Sequence, residues 1–155
     1  MSPTRVSIEP GDPRHPEATA LLEASHALMQ SLFPAEANHY LSIDALCGPD
    51  IRFFVAELNG VKAGCGALAL REGYGEVKSM FVDPAMRGGR IGSRLLERIE
   101  AEAKAHQLPF LRLETGDRLT AAHKLYSAHG FALRGPFGDY PDEPTSLFME
   151  KDLRG

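Results

Sequence analysis

Residues Glu76 to Lys104, EVKSMFVDPAMRGGRIGSRLLERIEAEAK, read as a strand, a sharp turn, a loop rich in glycine and arginine, and a long amphipathic helix. Gly88, Gly89 and Gly92 carry no Cβ, so the backbone there can approach a ligand closely. A helix that begins at this point presents unpaired N–H groups and the positive end of its dipole, which together attract an anion. Arg87, Arg90 and Arg94 add permanent positive charge within about two turns of that start. The stretch therefore points to a ligand that carries phosphate.

Outward from this stretch, the chain has the size and balance of an ordinary globular protein. Its 155 residues suit one domain, 1–155, and its apolar and charged fractions are 43% and 25%. A net charge of −4 argues against a general nucleic-acid binder, whose affinity comes from surplus Lys and Arg. Cys47 and Cys65 are far apart and read as reduced thiols. The sequence has no apolar run of the ~20 residues a membrane helix needs, and MSPTRVSIEPGDPRHPE lacks the apolar core of a signal peptide, so no membrane partner and a cytoplasmic location are expected. The six histidines form no metal-binding pattern, and no metal is expected.

Val6 and Ile8 suggest a first strand that stops at Pro10-Gly11. Ala18, Leu21, Leu22, Ser25, Leu28, Met29 and Leu32 follow at helical spacing, and a second helix is expected over Glu36 to Leu46. IRFFVAEL (51–58) and VKAGCGALAL (61–70) flank Asn59-Gly60, a strong hairpin signal. The Ala and Gly of the second strand would let a helix or ligand lie close to the sheet. Ile91, Leu95, Leu96, Ile99 and Ala103 form one stripe of the helix after the glycine loop. Phe110 to Thr115 reads as a strand, and Asp117 as the cap of a helix that runs to about His129. Phe131–Arg134 and Ser146–Asp152 read as closing strands. The order predicts an α/β (α+β) fold with a central mixed, mostly antiparallel sheet and helices on both faces.

Three phosphate-binding patterns compete for RGGRIGS. The P-loop requires GxxxxGK[ST], which no window supplies, and the Rossmann fingerprint requires a GxGxxG spacing that Gly88, Gly89 and Gly92 do not have. Val82-Asp83-Pro84 followed by Arg87-Gly88-Gly89-Arg90-Ile91-Gly92 resembles the coenzyme motif [Q/R]-x-x-G-x-[G/A] of the GNAT superfamily of N-acetyltransferases. Its fourth position, normally Gly, is Arg90. LYSAHGF (125–131) resembles the LYxxxGF segment of the same superfamily, and the element order extends the similarity over nearly the whole chain. Leu119 stands where family members often have an asparagine, seven residues before the tyrosine.

The resemblance implies acetyl-CoA as cosubstrate and direct transfer of its acetyl group to a primary amine of a small molecule or peptide. Met80, Phe81 and Val82 would pair with the pantetheine amides, and the Met80 N–H would polarise the thioester carbonyl. The N–H groups from Gly88 to Ser93, through Gly89, Arg90, Ile91 and Gly92, would hold the pyrophosphate with Arg87 and Arg90. Tyr126 matches the usual general acid. Glu76, eleven residues before Arg87, matches a catalytic glutamate of several protein-modifying members. Regular alternation would put it on the same strand face as Met80, roughly 13 Å away. Glu114 is a second candidate base, and Asp139 and Tyr140, in a proline-rich acidic loop, are candidate acceptor contacts beside Glu36, His39 and Tyr40. Many relatives dimerise, so a homodimer is one expectation. Two alternatives stay open, an acyl-CoA-binding sensor without transferase activity and a protein acetyltransferase.

Overall fold

The computed structural model describes residues 5–86 and 89–154. Seven strands form one sheet: β1 (Val6–Pro10), β2 (Ile51–Leu58), β3 (Val61–Leu70), β4 (Gly75–Val82), β5 (Phe110–Gly116), β6 (Ala132–Arg134) and β7 (Ser146–Asp152). Their spatial order is β1-β2-β3-β4-β5-β7-β6, and every neighbouring pair is antiparallel except β4 and β5. Helix α1 (Pro16–Leu32) covers one face and α3 (Ile91–Ala105) the other, with α2 (Ile43–Leu46) and α4 (Thr120–Ala128) shorter. This is the mixed, two-sided architecture expected from the element order.

Each face has its own core. Ala18, Leu21 and Leu22 of α1 meet Phe53, Val55 and Cys65. Leu95, Leu96 and Ile99 of α3 meet Phe54, Leu68 and Leu111. The small residues of β3 bring α3 in close: a Cβ on Gly66 would stand 2.6 Å from Met80 Sδ and 3.1 Å from Ile99 Cδ1. The β2–β3 hairpin turns at Asn59 (φ 52°) and Gly60 (φ 84°), as Asn-Gly dictates.

Two expectations about the helices need correction, and a third, about the course of β4, follows. The segment 36–46 is not one helix: a 3₁₀ turn at Ala35–Ala37 leads through extended residues to α2, whose N-cap Ser42 accepts the Ala45 N–H at 3.0 Å. The extended part is held from outside, because Lys78 Nζ donates to the His39 carbonyl at 3.0 Å. Asp117 does not cap α4, which starts at Thr120 with Leu119 as N-cap; the Asp117 N–H instead binds the Thr145 carbonyl at 2.9 Å. The apolar stripe of α1 is buried only at Ala18, Leu21 and Leu22, while Leu28 is 42% exposed. Ser25 and Met29 border a cleft instead of the core.

That cleft follows from β4. Its parallel pairing with β5 is confined to Gly75↔Leu111 and Glu76↔Arg112, after which the strands part. Beyond it, Ser79 takes a left-handed conformation (φ 57°) at a register shift, where three residues of β4 span two of β3, Cys65↔Phe81 and Ala67↔Lys78. The extra residue reverses the alternation, so Val77 and Met80, three apart, both pack on the α3 side. Glu76 and Met80 consequently face opposite sides of the sheet, contrary to regular alternation.

The burial difference along α1 gives a direct test. Leu22→Ala, at a fully buried position, should cost about 2–5 kcal/mol in chemical denaturation. Leu28→Ala, on the same sequence stripe, should change stability by less than about 0.5 kcal/mol.

Candidate active site

The splayed strands leave a cleft of about 100 Å³ between β4 and β5, lined by Lys78, Ser79, Met80, Glu114, Leu119 and Tyr126 among others. Residues reach it from both faces. Leu113 belongs to the α3-side core, so its strand neighbour Glu114 points to the α1 side. Tyr126, on α4, belongs to the α3-side core and meets the Phe131 ring at 5.7 Å. A carboxylate and a phenol thus approach the gap from opposite sides of the sheet.

Their surroundings set their protonation. Burial raises the pKa of Glu114, while the Ser146 hydroxyl, which donates to Glu114 Oε2 at 2.8 Å, and the charges of His39 and Lys78 oppose the rise; Glu76 adds to it. Burial, followed by the nearby charge of Glu114, raises Tyr126 above the ordinary phenol value. Tyr126 therefore holds its proton at neutral pH, as a proton donor must. Glu114 is a carboxyl whose affinity for a proton is increased, as a base requires.

Glu76 has a different setting. It is 3% exposed, and its Oε2 accepts a hydrogen bond from the Tyr140 hydroxyl and lies 3.5 Å from Lys78 Nζ. Its Oε1 lies 3.6 Å from Arg71 Nε. It lines a second chamber of about 420 Å³ with Arg71, Tyr74, Lys78 and Tyr140, not the cleft of Tyr126. Burial and the adjacent Glu76 raise the pKa of Tyr140, whose hydroxyl accepts from Lys78 Nζ at 2.7 Å. His39, Tyr40 and Lys78 border both spaces and form the wall they share.

Of the acidic loop, Asp139 is exposed at the rim of the second chamber and Asp142 is exposed. Glu143 Oε2 lies 3.4 Å from His39 Nε2. The side chain of Glu36 lies outside the described residues, as do Arg87 and Gly88. Arg71, Tyr74 and Lys78 were not singled out by the sequence. The one signal for Lys78 was a second charged residue, beside Glu76, inside a central strand.

The start of α3 is open to an anion. Gly89 (φ 69°) and Arg90 (φ 53°) lie successively in the left-handed region, and no side chain caps the helix. The first-turn N–H groups of Ile91, Gly92 and Ser93 therefore have no intrahelical acceptor. Gly92 also has a packing reason, since a Cβ there would stand 3.1 Å from Leu125 Cδ2 of α4. Ser93 Oγ is 3.0 Å from His129 Nε2. Along β4, the edge beyond Glu76 has no strand partner on the β5 side among the described residues, which leaves Met80, Phe81 and Val82 at an open edge. Ser79 Oγ is buried without a hydrogen-bond partner and lines the cleft. An open strand edge, an orphaned hydroxyl and an uncapped helix fit an extended ligand with amides at one end and phosphate at the other. No group of three His, Cys, Asp or Glu residues that could hold a metal ion occurs among the described residues. Nor is any described helix long and apolar enough to cross a membrane.

Comparison with known proteins agrees. The sequence profile of the acetyltransferase (GNAT) family matches residues 19–131. An IAA acetyltransferase of Azospirillum brasilense is 51% identical over 150 residues, which cover 96% of this chain and 98% of that one. A Klebsiella pneumoniae crystal structure assigned to the acyl-CoA N-acyltransferases superposes with a TM-score of 0.80 at 34% identity, covering 96% of this chain and 97% of that chain. The PaiA N-acetyltransferase of Thermoplasma acidophilum, solved with coenzyme A, shares the fold at 15% identity and a TM-score of 0.73, over 96% and 99% of the two chains. With a profile match across most of its length and a relative identical at half its positions, the chain belongs to the acetyltransferase (GNAT) family and is an N-acetyltransferase.

Proposed function

We propose that the protein transfers the acetyl group of acetyl-CoA directly to an amine held in the β4–β5 cleft, with Glu114 as general base and Tyr126 as general acid. The observation that carries this reading is the placement of those two residues on opposite sides of one gap, beside Ser79 and Met80. The coenzyme supplies the activated acetyl thioester. The open β4 edge at Met80, Phe81 and Val82 would align its amide chain, and the N–H groups from Gly89 to Ser93, with Arg90, would hold its pyrophosphate.

Two protons must move. An alkylammonium, with a pKa near ~10.4, has to lose one before nitrogen can attack, and Glu114 takes it on the α1 side. The departing sulfur, whose free thiol has a pKa of about 8.5, receives one from Tyr126 on the α3 side. The Met80 N–H donates to the carbonyl oxygen as charge builds there. After attack the nitrogen gives up its second proton, which restores the Tyr126 phenol. In balance, an ammonium and a thioester become an amide, a thiol and a proton released from Glu114. Glu76, already engaged by Tyr140 and flanked by Lys78 and Arg71, holds the acceptor wall in place and is not the base in this reading.

A thiol-release assay with acetyl-CoA and a panel of primary amines tests the reaction. Coenzyme binding without thiol release from any amine would favour the sensor alternative. Tyr126→Phe should lower kcat by roughly 10²-fold or more with little change in coenzyme affinity. Unchanged turnover would remove its acid role.

Glu114→Gln should lower kcat on a similar scale and also alter stability with pH. Because the folded state raises the pKa of Glu114, its contribution is most favourable below the unfolded value and is lost as pH rises through the folded one. The Gln variant should therefore melt higher than the wild type at neutral pH, and this advantage should shrink on acidification. Arg90→Gly should relieve a left-handed non-glycine residue, worth about 1 kcal/mol, and raise the melting temperature while weakening coenzyme binding. Calorimetric titration with coenzyme A, beside a melting curve, measures both effects.

A further inference from the structure

The second chamber is walled by two cations and one buried carboxylate. Glu76 is satisfied by the Tyr140 hydroxyl and by Lys78. Lys78 Nζ, 8% exposed at its side chain, already donates to the His39 carbonyl and to Tyr140. Arg71 differs. Its Nη1 donates to Asp50 Oδ2 at 2.7 Å and its Nε stands 3.6 Å from Glu76 Oε1. A guanidinium has five N–H donors, so most of this fork has no described acceptor. The side chain is 31% exposed and lines the chamber. Asp50, half-exposed, engages only one end of the Arg71 fork, and Asp139 is exposed at the rim of the chamber, where water screens it.

We propose, on the basis of the transfer reaction set out above, that Arg71 and Lys78 form an oxyanion subsite, so that the acceptor is an elongated amine bearing a carboxylate or phosphonate at its far end. Tyr74 and Tyr140 supply the flanking ring walls. A planar, bidentate fork matches either oxyanion, and the neighbouring Lys78 charge adds attraction without needing a new hydrogen bond. An ammonium placed here would instead face both cations.

The strand sets the length of the acceptor. The subsite lies level with Glu76 and Lys78, and the transfer point lies at Met80. Two to four residues of strand separate them, roughly 7–13 Å. The amine nitrogen and the carboxylate carbon of an α-amino acid are two bonds apart, so its α-amine and carboxylate cannot reach both ends. A chain such as 6-aminohexanoate can. Lys78 and His39 border both spaces, and the acceptor chain would lie along that shared wall.

The test compares kcat/KM in the thiol-release assay for 6-aminohexanoate, 5-aminopentylphosphonate, hexylamine and glycine. Roughly 10- to 100-fold preference for one or both elongated anions over hexylamine and glycine is expected, and their ratio tells carboxylate from phosphonate. Arg71→Gln should raise KM for the preferred anion by a similar factor while keeping kcat, a loss at least tenfold larger than any on hexylamine, and a melting curve reports that the variant is folded. Arg71→Lys should recover part of the affinity. Equal use of hexylamine and 6-aminohexanoate by the wild type, or equal loss on both in Arg71→Gln, would overturn the subsite. Calorimetry with N-acetyl-6-aminohexanoate keeps the outcome separate from catalysis. Arg71-dependent binding supports the subsite even if Glu114 proves not to be the base, and its absence overturns the subsite even if the transfer chemistry stands.

Discussion

The structure depends on the short parallel pairing between β4 and β5. Two residue pairs hold the halves of the sheet together, and then the strands diverge. An unpaired strand edge inside a sheet is costly unless something satisfies its N–H and C=O groups. The divergence is therefore a polar slot in the middle of an otherwise packed molecule. The left-handed residue at Ser79 sharpens it by reversing which side chains face the slot. One core lies under α1 and the other under α3, on the two faces of the sheet in which that slot opens.

Much of the fold was readable because local signals agreed. Asn59-Gly60, the Ile91–Ala103 stripe and the Ala/Gly-rich β3 each pointed to one structure, and each formed there. The errors share a cause. The 36–46 segment, the start of α4 and the outer half of α1 are shaped by distant partners, namely Lys78, Thr145 and the cleft itself. Local periodicity cannot see such partners.

The site divides in the same way. The loop before α3 and Tyr126 were visible as motifs, since each sits in a short pattern of fixed residue types at fixed spacing. The placement of Glu76 was not, because a single extra residue in β4 moves it to the other face from Met80. Glu114 gained weight only when the third dimension brought it beside Tyr126. Arg71 and Lys78 are ordinary surface types in a linear reading, and become distinctive only through their positions on either side of buried Glu76.

The buried thiol of Cys65 carries a different consequence. It donates to the Ser79 carbonyl at 3.4 Å, and burial pushes its pKa up to about 12. A thiolate is the form that oxidants and electrophiles attack, so this sulfur is chemically silent at neutral pH. Cys47, by contrast, is half-buried at the C-cap of α2. Electrophilic probes will therefore label the protein at the periphery and leave the bulge unmodified, which makes a single-site conjugate attainable without altering the sequence.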